Sequence, residues 1–308
     1  MSRYISDHID FAAYEQETEF AARVRKPSAF IEDLDAEFAP FGERKRSPMM
    51  TSTKLCDAIE FRAGEVTVWA GFNGHKKSMF TGQVALDLIA QGERTLLVSL
   101  EMAPRKSLYR MCRQATATDT PTKERRGEFL QWTDGHLWLF DHVGTLTATR
   151  CLALCRYFAL ELKGRHVFID SMMKVCESEE SLDEQKKLIG LLCAVAAETD
   201  LHIHLIAHAR KPGATGETQP PSKYDILGSS SITNQLHNVI TVWANKAKRA
   251  EADKPAPNAE IMGKPDALVT IEKQRNGSFE GRFGLFFDDK SLRFVDSNLA
   301  AVYPYRMD

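Results

Sequence analysis

Short apolar runs alternate with stretches of helical periodicity along most of the chain from about residue 51. Runs rich in Val, Ile, Leu and aromatic residues have the length of buried strands. Apolar residues at helical spacing predict a helix directly after the first run and further helices over about 148–162 and 182–198. This alternation is typical of an α/β fold whose mostly parallel sheet has helices on both faces. The predicted strands cover residues 66–70, 95–100, 137–140, 166–170, 202–207, 239–243, 267–272, 281–287 and 292–295.

The last strands of this series are spaced like hairpins, which predicts an antiparallel edge on the C-terminal side of the sheet. The punctuation of the chain by Pro, Gly and charged runs then suggests three segments. We expect an N-terminal arm over residues 1–50, a core over 51–297 and a short tail over 298–308.

The arm differs in pattern from the rest of the chain. Residues 9–24 can form an amphipathic helix, with Phe11, Tyr14, Phe20 and Val24 roughly on one side. A short acidic segment and a basic run come after it. A lone amphipathic helix cannot bury its apolar stripe by itself. It therefore packs back on its own domain or on another subunit, and the pattern alone leaves both open.

Bulk composition excludes several classes of protein. The chain has 308 residues, of which 43% are hydrophobic and 27% charged, as in ordinary soluble globular proteins. A net charge of -2 argues against a histone-like protein but allows a local basic channel. No apolar run is long enough for a membrane span, and the N-terminus lacks the apolar core of a signal peptide. The six cysteines show no zinc-binding spacing, so we expect free thiols in a reducing cytoplasm.

Residues 65–78, which read EVTVWAGFNGHKKS, combine a strand, a glycine-bearing turn and the start of a helix. This is the context of a phosphate-binding loop, in which backbone N–H groups and the helix dipole attract phosphate. Lys77 is expected to reach the β and γ phosphates of a nucleotide, and the Ser78 hydroxyl to bind Mg²⁺. The alternative is a plain turn with incidental lysines. The predicted nucleotide contacts are Gly71, Asn73, Gly74, His75, Lys76, Lys77 and Ser78.

Lys76 is the one departure from the phosphate-loop pattern, because it stands where the second glycine belongs. Glycine suits that position since the backbone must pass close to phosphate. Lys76 therefore either strains the loop or turns outward and adds positive charge.

Three further strands are predicted to end in ionisable residues, and ligands bind at the carboxyl ends of strands in such sheets. Asp170 ends an apolar run as a Walker B aspartate does and would hold Mg²⁺; the alternative is a helix-capping aspartate. Glu101 is the candidate for activating water, or else a solvated glutamate at a helix start. His208 is a candidate γ-phosphate sensor, or else a buried structural histidine.

The segment 209–225 is long, rich in Gly and Pro, and comes directly after His208. Long loops in compact domains are usually functional or disordered. Its basic residues would track a sugar-phosphate backbone without reading sequence. We expect single-stranded DNA to contact Arg210, Lys211 and Lys223.

Five motifs in order resemble the ring-shaped replicative helicases of the DnaB class, and the likeness spans about residues 56–295. The chain is similar in particular to the helicase halves of phage primase-helicases and of the mitochondrial helicase Twinkle. The motifs are Ser99–Met102, Phe168–Asp170, Leu205–Pro212, Asp225–Ser230 with Gln235, and Lys273–Gly277.

This resemblance implies a RecA-like P-loop NTPase core that uses ATP or another NTP with Mg²⁺. It implies catalytic roles for Glu101, Asp170 and His208, and it places Gln235 near the same site. Lys273 and Arg275 look like the pair inserted into the neighbouring subunit's site, with Arg275 as the arginine finger. Asn234 departs from the arginine usual in the phage enzymes.

The implied partners are single-stranded DNA, further copies of the chain in a homo-hexamer or similar ring, and a primase or other replication protein. The family's linker helix docks on the adjacent subunit, which favours that docking for residues 9–24. The implied location is a bacterial or phage-infected host cytoplasm. The implied function is that of an ATP-dependent helicase that translocates on single-stranded DNA and unwinds duplex in replication.

Two other functions fit parts of the pattern. A RecA/KaiC-like assembly or loader ATPase would share the sheet and the phosphate loop without unwinding DNA. The pair Lys273 and Arg275 and the basic loop after His208 favour the helicase. A nucleotide-binding protein that has lost catalysis is suggested by Lys76 alone.

Overall fold

The computed structural model describes residues 26–38, 46–175, 181–209, 216–223, 225 and 230–307. The strands in this part of the chain are β1 (Val66–Gly71), β2 (Thr95–Ser99), β3 (Leu137–Leu139), β4 (His166–Asp170), β5 (His202–His208), β6 (Asn238–Ala244), β7 (Ala267–Gln274), β8 (Gly281–Asp288) and β9 (Arg293–Val295). The α-helices are α1 (Ile31–Phe38), α2 (Lys77–Ala90), α3 (Pro104–Thr116), α4 (Lys123–Thr133), α5 (Ala148–Leu160), α6 (Leu182–Thr199), α7 (Ser230–Gln235), α8 (Lys246–Ala252) and α9 (Ala259–Gly263).

All of these strands join one sheet in the order β3-β2-β4-β5-β1-β6-β7-β8-β9. The pairs from β3 to β6 are parallel, and the pairs from β6 to β9 are antiparallel. The predicted fold class, a mostly parallel sheet with an antiparallel C-terminal edge, is therefore confirmed. The ends of each strand differ by at most two residues from those of its predicted run. The agreement is close because strands buried on both faces form short apolar segments in the sequence.

Both faces of the sheet are covered, as predicted. Side chains alternate across a strand, so Val68 packs with α5 and α6 on one face while Trp69 packs with α2 on the other. Leu96 and Leu97 divide between the two faces in the same way. The fold thus buries two apolar cores, one on each side of the sheet.

Several helices differ from the sequence expectations. Helices α3 and α4 were not predicted, because both are highly charged and bury few large apolar residues. Helix α1 occupies the acidic segment of the arm, and it exposes Leu34 and Phe38 to solvent. The predicted amphipathic helix over residues 9–24 lies outside the described residues.

The parallel sheet has two edges with different residue pairs at the strand ends. At the carboxyl edge, where the parallel strands end, Gly71 pairs with His208 and Asp170 pairs with Ser99. At the amino edge, where those strands begin, Asn238 pairs with both Thr67 and Gln274.

Two smaller expectations concern the membrane and the cysteines. No helix among the described residues is long and apolar enough to cross a membrane. The cysteines in the described ranges carry free thiols: Cys56, Cys112, Cys151, Cys155 and Cys193.

Candidate functional site: a phosphate cleft at the carboxyl edge

The loop between β1 and α2 has the backbone shape that its glycines require. A Cβ at Gly71 would lie 2.2 Å from the carbonyl oxygen of Val242, so β1 can pass this close to β6 only with glycine. Gly74 has a φ of +75°, which favours glycine. Helix α2 begins at Lys77, and the first N–H groups of a helix have no partner within it. The loop therefore presents backbone donors to an anion.

The structure shows how Lys76 is accommodated at the position where the phosphate-loop pattern has glycine. Its backbone is left-handed, with φ 61° and ψ 21°, which costs a non-glycine residue about 1–2 kcal/mol. Its ammonium lies 3.1 Å from the centre of the Phe287 ring, a contact of about 0.5–2 kcal/mol. Burial lowers the pKa of Lys76, although Asp289 acts against this. The loop is thus strained and the side chain also turns outward onto β8, and the two effects are of similar size.

Lys77 is buried at the base of the cleft. Its ammonium donates to the carbonyl oxygens of Gly71 at 2.8 Å and Phe72 at 3.0 Å, and to Nδ1 of His208 at 3.1 Å. Burial lowers the pKa of Lys77 to about 8, while Asp170 and Glu101 oppose that shift. Phosphate would replace these acceptors with a negative charge.

His208 joins the lysine to the candidate catalytic carboxylate. Because Nδ1 accepts from Lys77, the proton of the neutral ring lies on Nε2, which is 3.5 Å from Oε1 of Glu101. Burial lowers the pKa of His208, and Lys77 lowers it further. The ring is therefore neutral and oriented, with its proton directed toward the carboxylate.

Glu101 is held from a second side by Ser171. The Ser171 hydroxyl is fully buried and donates to Oε1 of Glu101 at 2.6 Å. Burial alone would raise the pKa of Glu101, but this hydrogen bond, His208 and Lys174 together lower it. The result is an ionised carboxylate in the cleft, able to orient a water molecule or accept its proton.

Asp170 lies at the end of β4, beside Ser78. Burial raises the pKa of Asp170, a hydrogen bond from the Ser78 hydroxyl opposes this, and Glu101 raises it further. This pair of hard oxygen ligands fits Mg²⁺, which is usually held by one or two carboxylates plus phosphates and water. The described residues hold no group of three or more His, Cys, Asp and Glu side chains that could bind a metal.

These groups border one open cleft of ≈ 860 Å³, within the range of pockets for small ligands. It gathers Glu101, Asp170 and His208 around the phosphate loop. Sequence reasoning missed Arg110 and Lys174, which add two cations to the walls. Arg110 could have been found only by predicting α3, and Lys174 only by knowing how the chain turns after β4. The lining residues are Asn73, Gly74, His75, Lys76, Lys77, Ser78, Met79, Leu100, Glu101, Arg110, Val143, Gly144, Asp170, Met173, Lys174 and His208.

His75 has a buried side chain, so its predicted nucleotide contact, which stays a prediction, would come from the backbone. It borders the cleft as part of the loop, but its side chain is fully buried. Nδ1 accepts the backbone N–H of Ala244 at 3.0 Å, and Nε2 lies 3.0 Å from Oε2 of Glu217. Both ring nitrogens are thus engaged by protein groups.

Gln235, Lys273 and Arg275 do not line the cleft of their own chain. Lys273 donates to the carbonyls of Thr233 and Leu236, each at 2.8 Å, and Arg275 donates to that of Asn234 at 2.7 Å. They close the C-terminal end of α7 at the amino edge. That level is the level of Thr67 in β1, and the rise of four residues from Thr67 to Gly71 is roughly 13 Å of strand.

Gln235 is placed near the catalytic groups by the resemblance, but it lies against α6 next to Gly190. It comes shortly before β6, near the start of that strand, whereas the catalytic groups lie at or after strand ends. Gln235 therefore does not border the cleft of its own chain, and roles for Gln235, Lys273 and Arg275 at a neighbour's cleft stay predictions.

The residues predicted to bind DNA are only partly visible. Arg210 and Lys211 lie outside the described residues. Lys223 is described and lies beside β7, where its backbone N–H donates to the carboxylate of Glu272.

Comparison with known families adds to this geometry. An AAA domain family matches residues 53–214, more than half of the chain and most of the parallel sheet with its phosphate loop. The chain belongs to the AAA domain family. In this AAA domain, the phosphate loop, Asp170 and Glu101 lie together at the carboxyl edge of the parallel sheet.

Solved structures with this AAA domain's fold include a replicative helicase and an ATPase domain. One is a DnaB-like replicative helicase, from a structure that also concerns its interactions with primase, with a TM-score of 0.70 and 15% identity over 89% of this chain and 69% of that chain. The other is the ATPase domain of G40P, with a TM-score of 0.65 and 15% identity over 88% of this chain and 99% of that chain. The RecA-like fold of such domains is thus confirmed.

Proposed function

We propose that this AAA domain chain is a ring-forming DNA helicase that hydrolyses ATP or another NTP in the carboxyl-edge cleft. The observation that supports hydrolysis is a series of side-chain contacts that joins Lys77 to His208, His208 to Glu101, and Glu101 to Ser171. It links the phosphate-binding lysine to an ionised, oriented carboxylate. A site that only bound nucleotide would have no need of that carboxylate.

Each group in the cleft has a distinct task. The loop N–H groups and Lys77 bind phosphate oxygens, and Ser78 and Asp170 would hold Mg²⁺, which neutralises charge on the phosphates. Glu101 orients the attacking water and takes its proton. His208, whose ring proton lies on Nε2, can turn that proton toward a terminal phosphate. Arg110 and Lys174 raise the positive potential of the walls where negative charge develops.

The position of the predicted arginine finger supports assembly. Arg275 is exposed at the amino edge, and the cleft opens at the carboxyl edge. A guanidinium there can serve only the cleft of another copy, and such head-to-tail contacts close into rings or extend as filaments. The carbonyls at the end of α7 hold Arg275 and Lys273 in place.

The arm offers a second contact between subunits. A helix that exposes several large apolar residues is stable only against a partner surface. Here we place that surface on the adjacent subunit. The exposed residues on and next to α1 are Phe30, Ile31, Leu34 and Phe38.

The segment after β5 supports DNA binding. It begins directly after His208 and carries Arg210, Lys211 and Lys223. The candidate phosphate sensor and the candidate DNA contacts therefore lie on one continuous stretch of chain. We place the ring on single-stranded DNA in the cytoplasm of a bacterium or an infected host, with a primase as a further partner.

Strand displacement on a forked duplex tests the proposal. We expect strand separation with ATP, none with a non-hydrolysable analogue, and none with Lys77→Ala. DNA-stimulated ATP hydrolysis without strand separation would contradict the helicase and favour a RecA/KaiC-like loader ATPase.

A further inference from the structure

The side chain of His75, a residue of the phosphate loop, is buried in the protein. Its ring is fully buried, with Phe72 at 5.4 Å and Trp243 at 6.3 Å between ring centres. Because the N–H of Ala244 donates to Nδ1, the ring proton of neutral His75 lies on Nε2 and is donated to Glu217. The histidine therefore bridges the end of β6 and a carboxylate from another segment.

Glu217 belongs to the stretch between β5 and α7, far from the loop in sequence. Its carboxylate also accepts from Lys246 at 2.5 Å, and its backbone carbonyl accepts the indole N–H of Trp243 at 2.9 Å. Both partners lie at or just after the end of β6. The short turn Gly216–Thr218 is thus fastened to the same place that supports the loop.

The electrostatics favour a neutral His75. Burial lowers its pKa, Lys246 and Lys77 lower it further, and the contact with Glu217 acts in the opposite direction. In the neutral ring, Nδ1 can accept from Ala244 only while Nε2 carries the proton. Glu217 is the acceptor that stabilises this arrangement.

From these contacts we infer that Glu217 is a positioning residue for the phosphate loop, acting through His75, and that it couples the loop to the segment after β5. The next two residues, Lys76 and Lys77, are the strained residue and the phosphate-binding residue, so a shift of the ring moves both. The coupling rests on the proposed function, because it assumes that the segment binds single-stranded DNA. Linkage is reciprocal: what DNA does to nucleotide affinity, nucleotide does to DNA affinity.

The positioning part can be tested without any ligand, by hydrogen exchange of backbone amides in residues 72–78. Glu217→Ala removes the acceptor and should speed exchange about tenfold. Glu217→Gln keeps a carbonyl oxygen for His75 and should restore most of the protection. Glu128→Ala is the matched control, because Glu128 is also a surface glutamate in an ion pair, with Arg125 at 2.8 Å. Equal exchange in Glu217→Ala and Glu128→Ala would overturn the positioning role.

The coupling part uses a fluorescent ADP analogue titrated with and without a dT oligonucleotide. We expect the oligonucleotide to change nucleotide affinity at least about fivefold in the parent and in Glu217→Gln, and hardly at all in Glu217→Ala. A parent without coupling, or an unchanged ratio in Glu217→Ala, would overturn it. If the parent binds no nucleotide, the proposed function fails, and the exchange experiment still decides the role of Glu217.

Discussion

The carboxyl edge and the amino edge of the parallel sheet carry the same kinds of side chain in different surroundings. At the carboxyl edge, His208 is half-buried between a lysine and a glutamate and borders an open cleft. At the amino edge, His166, His202 and His204 are almost completely buried. Histidine near other titratable groups is a feature of both edges, so residue type alone does not identify the site.

The histidines of the amino edge make ring contacts and hydrogen bonds with one another and with residues of the neighbouring strands. His204 stacks on Phe168 with 4.0 Å between ring centres and accepts the indole N–H of Trp69 at 3.2 Å. His202 pairs with the hydroxyl of Thr67 at 2.8 Å. Burial lowers the pKa of all three histidines. They act as neutral packing groups with hydrogen bonds.

The difference lies in access and in unlike charges. The carboxyl edge combines a cation, a neutral ring and an anion beside open volume, which is what catalysis on a phosphate needs. The amino edge combines neutral rings in aromatic packing, which contributes to stability. Perturbed pKa values occur at both edges, so they do not identify the site by themselves. The cleft at the carboxyl edge measures ≈ 860 Å³, whereas the pocket beside His166 and His202 measures ≈ 260 Å³.

Lys77→Ala should have the largest effect on the carboxyl edge. It removes the cation that meets the phosphates, and we expect NTP hydrolysis to fall at least about a thousandfold. Lys76→Gly is the neighbouring control, and it should keep or raise activity because glycine tolerates the left-handed backbone. Full hydrolysis by Lys77→Ala would disprove the nucleotide assignment, and a large loss in Lys76→Gly would give its contact with Phe287 a positive role.

Lowering the pH should reduce the free energy of unfolding through the buried histidines of the amino edge. His166, His202 and His204 have folded-state pKa values below the usual 6.5, so the unfolded chain binds more protons as pH falls. Their stabilisation is present above about pH 6.5 and is lost below it, by about 2 kcal/mol at pH 5 for each ring that stays neutral. Urea unfolding between pH 5 and 8 measures this. His142→Gln, at an exposed histidine, should leave the slope unchanged; an unfolding free energy that is flat over this range would contradict the account.

Ser171→Ala should have a smaller effect, confined to the pH profile of the carboxyl edge. Losing the hydroxyl removes a donor that lowers the pKa of Glu101, so the acid limb of kcat/KM should move upward by up to about one pH unit. Ser99→Ala is the control, because the Ser99 hydroxyl has no hydrogen-bond partner among the described residues. Identical pH profiles for the two variants would show that Ser171 does not tune Glu101.

Sequence pattern predicted the sheet better than it predicted the cleft. Strands at 66–71 and 202–208 are short segments dominated by Val, Ile, Leu, Ala and Trp, which need no tertiary information to be found. Ser171 and Lys174 carry no such signal, since their roles depend on how the chain turns after β4. His75 shows another limit: its place in a phosphate loop gave no sign that tertiary packing would bury its ring against Ala244 and Glu217.

Complementation between two inactive variants tests the central claim that the cleft is completed by a second copy of the chain. Arg275→Ala should lose about 10³–10⁵ in ATP hydrolysis and keep nucleotide affinity, because an arginine finger acts on transition-state charge. Glu101→Gln should also be inactive. When the two are mixed with single-stranded DNA present, some clefts combine an intact Glu101 with a neighbour's intact Arg275, and activity should return with a maximum at intermediate ratios. No recovery at any ratio, in assemblies shown to exchange subunits, would contradict the shared site.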